Sequence, residues 1–313
     1  MGKQAGGRDP RTLNPFRPGA GTVPLALVGR DADLEAIENA IAQVAGGEPA
    51  QVALFVGEPG MGKTVLLRRC EQMARKAGGI VLRGEMAPHA DLQRVFAFGM
   101  QRAQKDLKGA PQRIGDKLLH VVRENLSSIP GFDIGLGVKI AENRRPFLEA
   151  LHDLNNVAHK HGRFLALTID EIHSAEPAEL RQLAAYIQGT HEPNNPLLVL
   201  GAGLPETREL INEHLPTYSR ERWTYHEIGE LTIEDTRAAI TLPLCDRDVA
   251  IASDALDELV NISEQYPYFI QGFAAAAWNQ HFSSTGWQYR VGDTITHDDV
   301  KASIPRARLH LQR

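Results

Sequence analysis

Apolar residues along this chain follow two patterns that alternate. Short continuous runs read as buried strands: Gln51–Val56, Ile80–Gly84, Phe164 to the acids at 170 and 171, Pro196–Gly203 and Trp223–Ile228. Between them, apolar positions recur at helical spacing. Leu34, Ile37, Ile41 and Val44 predict a helix that Gly46-Gly47 stops. Thr64–Ala74 is free of Gly and Pro. Phe147, Leu148, Leu151, Leu154 and Val157 mark one side of a helix over about 144–160, and another runs from Pro177 to Gln188. Five strands alternating with helices predict a parallel α/β sheet with its ligand site at the carboxyl ends of the strands. Beyond residue 231 the patterning is helical alone. A helix opens at the Thr232 cap, and others follow at about 252–264, 267–282 and 296–304, a small all-helical lid.

Three stretches are less regular. Residues 1–24 hold nine Gly and Pro and read as an irregular arm. Its Lys3, Arg8, Arg11 and Arg17 either touch phosphates or belong to a solvated tail. Residues from about 91 to 126 predict two helices split near Gly109-Ala110-Pro111, with Phe96, Phe98, Leu118, Leu119, Val121 and Val122 in the core. Gly131–Ile140 alternates glycine with apolar residues, so it reads as a hairpin or ribbon that contacts a partner or DNA, or packs locally.

The first chemical signal sits between the first strand and its helix. Gly57-Glu58-Pro59-Gly60-Met61-Gly62-Lys63-Thr64 fits the phosphate-binding pattern G-x-x-x-x-G-K-[ST] at every fixed position. Glycines let backbone N–H groups turn toward a triphosphate. Lys63 brings a cation to the β- and γ-phosphates, and the Thr64 hydroxyl reaches Mg²⁺. Val65 follows in the first turn of the helix, whose dipole favours an anion at that end. The second signal is the apolar run ending in Asp170-Glu171. It fits a Walker B element, in which the first acid reaches the metal shell and the second orients the attacking water.

These motifs, in this order, resemble the AAA+ ATPases, of the bacterial branch near origin-recognition-like and STAND signalling ATPases. The resemblance covers about residues 25–300 and divides the chain into an arm over 1–24, an AAA+ nucleotide-binding α/β domain over 25–230 and a helical lid over 231–313. It implies that the Val28-Gly29-Arg30 turn lies near the adenine. It implies that Arg222 or Arg220, just before the fifth strand, serves as an arginine finger for a neighbouring subunit. Gln265-Tyr266-Pro267 resembles the family's Gly-x-Pro element, of which Pro267 alone carries over. The fourth strand ends in Gly201-Ala202-Gly203, where the family commonly has a polar sensor; Glu206 and Thr207 are the nearest polar residues. The resemblance implies ATP and Mg²⁺ as cofactors, ATP hydrolysis that drives assembly or remodelling of a protein partner, and self-association through the nucleotide site. The alternative is a nucleotide-gated switch or scaffold with slow hydrolysis, or a DNA-associated ATPase of replication, transposition or defence.

Composition narrows these classes. A hydrophobic content of 42% and a charged content of 23% are those of a globular chain. The net charge of −5 gives no general pull toward DNA or anionic membranes. No run is long and apolar enough to span a membrane. Two cysteines, Cys70 and Cys245, make no disulfide framework, which fits a reducing cytoplasm.

Overall fold

The computed structural model describes residues 9–19, 21–90, 92, 95, 96, 99, 147–189 and 197–311. In chain order the helices are α1 (Pro10–Leu13), α2 (Asp31–Ala45), α3 (Lys63–Lys76), α4 (Phe147–Lys160), α5 (Pro177–Gly189), α6 (Thr207–His214), α7 (Thr217–Arg220), α8 (Ile233–Cys245), α9 (Ser253–Ser263), α10 (Pro267–Ser284) and α11 (His297–Leu311). The strands are β1 (Val52–Val56), β2 (Gly79–Glu85), β3 (Phe164–Asp170), β4 (Leu197–Gly203), β5 (Trp223–Glu227), β6 (Ala250–Ile251) and β7 (Thr294–Ile295). The described residues divide into two compact units. One comprises Ala32–Gly57 and Leu66–Glu227; the other comprises the chain up to Asp31, Glu58–Val65 and the chain from Ile228.

The first unit is built on a five-stranded sheet in the order β2-β3-β4-β1-β5. Every pairing in it is parallel. All five strands expected from the apolar runs are present. Every residue of β1, β3 and β4 is buried, as a central parallel strand with both faces covered requires. Leu54, Leu82, Leu165, Leu167 and Ile169 form the centre of its core. Ile37, Ile41 and Val44 of α2 are buried as their spacing predicts, and Leu34 is half-buried. The two helices expected over 91–126 lie almost entirely outside the described residues, and the ribbon over 131–140 wholly so; of that stretch, Leu92 and Phe96 are buried in this core. The Gly-Ala-Gly end of β4 has a packing cause. A Cβ on Gly201 would run into the Leu54 side chain, and one on Gly203 into the Thr207 hydroxyl.

The second unit is helical around Trp278, Phe282, Ile270 and Phe273. Its N-terminal segment corrects the expectation of a solvated tail over residues 9–19. Phe16 is buried at 4% exposure in this core, and Trp278 Nε1 donates to the Pro10 carbonyl at 3.0 Å. The Phe16 ring, Leu13 packed on the same core, and hydrogen bonds with α10 together anchor this Gly- and Pro-marked arm. α11 runs past Pro305 to Leu311, longer than its periodicity suggested. Both α8 and α11 open on a Thr-x-x-Asp box. Asp235 N–H donates to Thr232 Oγ1 at 3.0 Å, and the Thr232 hydroxyl donates to Asp235 Oδ2 at 2.8 Å. Thr296 and Asp299 repeat the arrangement, and Asp299 Oδ2 also lies 2.9 Å from His281 Nδ1 on α10.

Burial pushes the Asp299 carboxyl up, but the Thr296 N–H, the His281 ring and the Thr296 hydroxyl together outweigh it and hold the group below the usual carboxylate range. A folded value below the unfolded one makes this stabilisation present at neutral pH and lost on acidification through the folded value. Urea unfolding should therefore show Asp299→Asn less stable than the native chain at pH 7, with the gap closing below about pH 4, the ordinary carboxylate value.

Candidate functional site

The helical unit gathers most of the residues that the sequence assigns to nucleotide binding. The phosphate loop runs from Glu58 to the first turn of α3, which begins at Lys63. Gly60 and Gly62 take φ of +85° and +92°, a region that favours glycine. A Cβ on Gly62 would meet nothing within 4 Å, so the backbone there faces open space. Lys63 is 8% exposed, and its Nζ donates to the Glu58 carbonyl at 2.8 Å, folding the loop around its own cation. Met61 is buried, while Glu58 and Pro59 are exposed and Thr64 and Val65 half-buried.

Two other segments close on this loop. The Arg30 guanidinium donates to the carbonyls of Gly29 at 3.2 Å, Met61 at 3.4 Å and also Gly229. It thereby ties the Val28–Arg30 turn, the loop and the segment before α8. Gly29 sits so close to the α8 cap that a Cβ would stand 2.8 Å from Asp235 Oδ2, and Val28 packs on the helical core. On the other side, the Tyr266 hydroxyl donates to the Pro59 carbonyl, and a Cβ on Gly60 would lie 2.7 Å from the Tyr266 ring. Burial, with the Glu58 and Glu230 carboxylates, raises the Tyr266 pKa, which keeps the phenol a donor. Pro267 opens α10 directly after it. The sequence pointed to Pro267 and missed the ring beside it; the Tyr-Pro-Tyr-Phe cluster was the available signal.

The acid pair lies in the sheet unit, at the carboxyl end of β3. Asp170 is 4% exposed, and its Oδ2 accepts from Arg83 Nη2 at 3.2 Å. Arg83, on β2, also lies 3.7 Å from Glu71 Oε1. Glu71, on α3, is 4% exposed and accepts from the Thr168 hydroxyl at 2.9 Å. A buried carboxylate without a cation is costly, and Arg83 between Glu71 and Asp170, with Arg75 3.5 Å from Glu71 Oε2, helps both sit inside. Neither Arg83 nor Glu71 was singled out from sequence, because each looks there like an ordinary strand or helix charge. Glu171 follows in a left-handed conformation, φ 53°, with its side chain 45% exposed. Beneath these, burial pushes the Cys70 thiol up to about 12, so it stays a neutral packing group.

Comparison with known proteins fits this geometry. Residues 26–200, more than half of the chain, match the AAA ATPase domain family. The chain belongs to the AAA ATPase family. Among curated proteins none matches it. Cdc6p from Pyrobaculum aerophilum superposes with a TM-score of 0.60 at 14% identity, over 95% of this chain and 70% of that one. The ORC2 protein of Aeropyrum pernix, in ADPNP and ADP complexes, gives 0.56 at 13%, over 96% and 72%. A RuvB mutant of Thermotoga maritima gives 0.52 at 16%, over 90% and 71%. At these identities the likeness establishes the fold, and the AAA+ resemblance read from the motifs is borne out.

In this AAA ATPase the two candidate finger arginines differ. Arg220 is tied into its own chain, donating to the Asn212 carbonyl at 3.1 Å and to Thr217 Oγ1 at 2.7 Å. Arg222 precedes β5, and its Nη1 is buried without a hydrogen-bond partner among the described residues. On the edge strand β5, Arg208 instead covers the Tyr225 ring at 4.6 Å and pairs with Glu227.

Arg83→Leu should take from two buried carboxylates the cation they share. Removing one partner from a buried ion pair costs about 3 kcal/mol or more. Urea unfolding of this variant should show a midpoint well below that of the native chain. Adding Glu71→Gln to it should recover part of the loss.

Proposed function

We propose that this AAA ATPase binds ATP through the phosphate loop and hydrolyses it to drive assembly or remodelling of a protein partner. The observation that carries the reading is the loop at the N-terminus of α3. Gly60 and Gly62 take positive φ, open space lies over Gly62, and a lysine cation is held in the same turn. Such a loop suits a polyanion, since backbone N–H groups and a helix N-terminus both favour negative charge. That the ORC2 structure is described as ADPNP and ADP complexes supports a nucleotide in this fold. On this reading Mg²⁺, which takes hard oxygen donors, would be held by the Thr64 hydroxyl and the Asp170 carboxylate. When bound, Mg²⁺ supplies charge neutralisation on the β- and γ-phosphate oxygens.

The chain's own residues then divide the labour. Lys63 binds the β- and γ-phosphates. Arg83 orients the Asp170 carboxylate. Glu171 accepts the proton of the attacking water. Val28, Gly29, Arg30 and Pro267 border the nucleotide base. The reading extends to self-association in the cytoplasm, with Arg222 reaching the γ-phosphate of a neighbouring copy and Arg220 holding its segment. No helix among the described residues is long and apolar enough to cross a membrane. The net charge of −5 supports no general affinity for DNA. A second reading, a nucleotide-gated switch that hydrolyses slowly, is favoured by one observation. β4 ends without a polar side chain, and the Thr207 hydroxyl behind it is buried without a hydrogen-bond partner among the described residues.

Titration calorimetry should show ATP binding lost or severely weakened in Lys63→Ala. Unchanged affinity in a folded variant would remove the phosphate-loop assignment. Glu171→Gln should still bind ATP but turn it over about a hundredfold to ten-thousandfold more slowly, the usual cost of a lost general base. A switch would give a native rate already close to that of this variant.

Arg222→Ala should lose roughly a thousandfold in turnover, the lower range for an arginine finger. Mixing it with Lys63→Ala should restore activity at interfaces that join an intact loop to an intact finger. A fully active Arg222→Ala, or an active monomer, overturns the role in trans.

A further inference from the structure

Beyond the acid pair, β3 leads into a short 3-10 turn, Ile172–Ser174, that carries a histidine the nucleotide reading does not use. His173 Nδ1 lies 3.4 Å from Glu171 Oε2. It also accepts from the Leu204 N–H, directly after β4, at 3.4 Å. We propose that His173 is a positioning residue whose Nδ1 is shared between the end of β4 and the Glu171 carboxylate, so that the state of one sets the other. The proposal rests on the hydrolytic reading of Glu171.

The argument is one of valence. A ring nitrogen offers either one lone pair or one N–H in the ring plane. To accept from Leu204, Nδ1 must be bare and the proton must sit on Nε2. To hold Glu171, Nδ1 must carry the proton and donate it. The two contacts therefore exclude each other, though both partners stand at the same distance. Exchange between the two forms moves one proton: Nε2 releases it to water and Nδ1 takes one up. The side chain is 18% exposed, which lets water reach it.

Two further features make this coupling consequential. The Glu171 carboxylate is 45% exposed, and His173 is its one side-chain partner among the described residues. Its orientation thus depends on this ring. Glu171 also holds a left-handed backbone, φ 53° and ψ 37°, which fixes where the carboxylate starts from. At β4, Gly203 carries no side chain, and the Thr207 hydroxyl fills the space that a Cβ would need. The polar group that β4 offers at its end is the Leu204 N–H, and His173 reads it. An anionic group that engages this N–H frees Nδ1 to take a proton and fix Glu171. Without one, Nδ1 is divided between Leu204 and Glu171, and Glu171 is held only part of the time.

Long-range ¹H–¹⁵N correlation of the His173 ring in the full chain tests the sharing without nucleotide. The native chain should show a mixture of Nε2–H and Nδ1–H forms, and Glu171→Ala should leave the Nε2–H form alone. Identical ring spectra in the two chains overturn the proposal. A non-hydrolysable ATP analogue should then move the native ring toward Nδ1–H, and an unmoved ring overturns the coupling.

Turnover gives an independent arm. Asn places polar atoms near the position of Nδ1, whereas Leu places none. His173→Leu should bind ATP as the native chain does and lose on the order of tenfold to a hundredfold in turnover, the usual cost of an orienting partner. His173→Asn should recover most of that. Equal rates for native and Leu chains, or an Asn variant no better than Leu, would sink it. If the native chain binds no ATP, the ATPase reading fails by itself, while the nucleotide-free spectra still decide whether Nδ1 is shared.

Discussion

A guanidinium held between two carboxylates is the constraint on which the sheet unit depends. Arg83 meets Asp170 at 3.2 Å and Glu71 at 3.7 Å, and both acids are almost fully buried. The network spans β2, β3 and α3, and Thr168 completes it by donating to Glu71. An apolar core tolerates sliding of one element over another; a buried charge set does not, because any displacement strands a charge in low dielectric. Within the sheet unit, Glu71 of α3 is thereby held to β2 and β3.

Close approach of backbone to side chain explains much of the rest. At Gly29, Gly60 and Gly203 the missing Cβ leaves room for a named neighbour: the Asp235 carboxylate, the Tyr266 ring and the Thr207 hydroxyl. Each neighbour is polar and lies at the edge of an element that carries candidate chemistry. The departure of β4 from the family's polar ending is therefore a matter of space. Thr207 occupies the volume that a side chain on residue 203 would need, and the histidine after the acid pair reaches the strand's end from β3 instead.

In the helical unit an irregular segment is ordered by one buried ring and several hydrogen bonds together. Residues 9–19 have a glycine- and proline-marked sequence and one short turn of helix, yet Phe16 is buried, and the Trp278 indole donates to Pro10. Asn14 adds hydrogen bonds to the Ala275 carbonyl and to Asn279 on α10. Paired Thr-x-x-Asp caps at the starts of α8 and α11 then satisfy helix termini that packing alone leaves open.

The sequence by itself determined the type and order of the elements, the glycine loop and the acid pair. These are written in short-range information: apolar runs, a 3.6-residue period, and residues at fixed local spacing. It also offered Val28–Arg30 and Pro267 as candidates, though not what surrounds them. Tertiary structure decided the partners. Arg83 and Asp170 are 87 positions apart, Thr168 and Glu71 are 97, and Trp278 and Pro10 are 268. Their meeting follows from the strand order β2-β3-β4-β1-β5 and from which helix covers which face. No local pattern states that order, since every buried parallel strand presents the same apolar run whichever neighbour it takes.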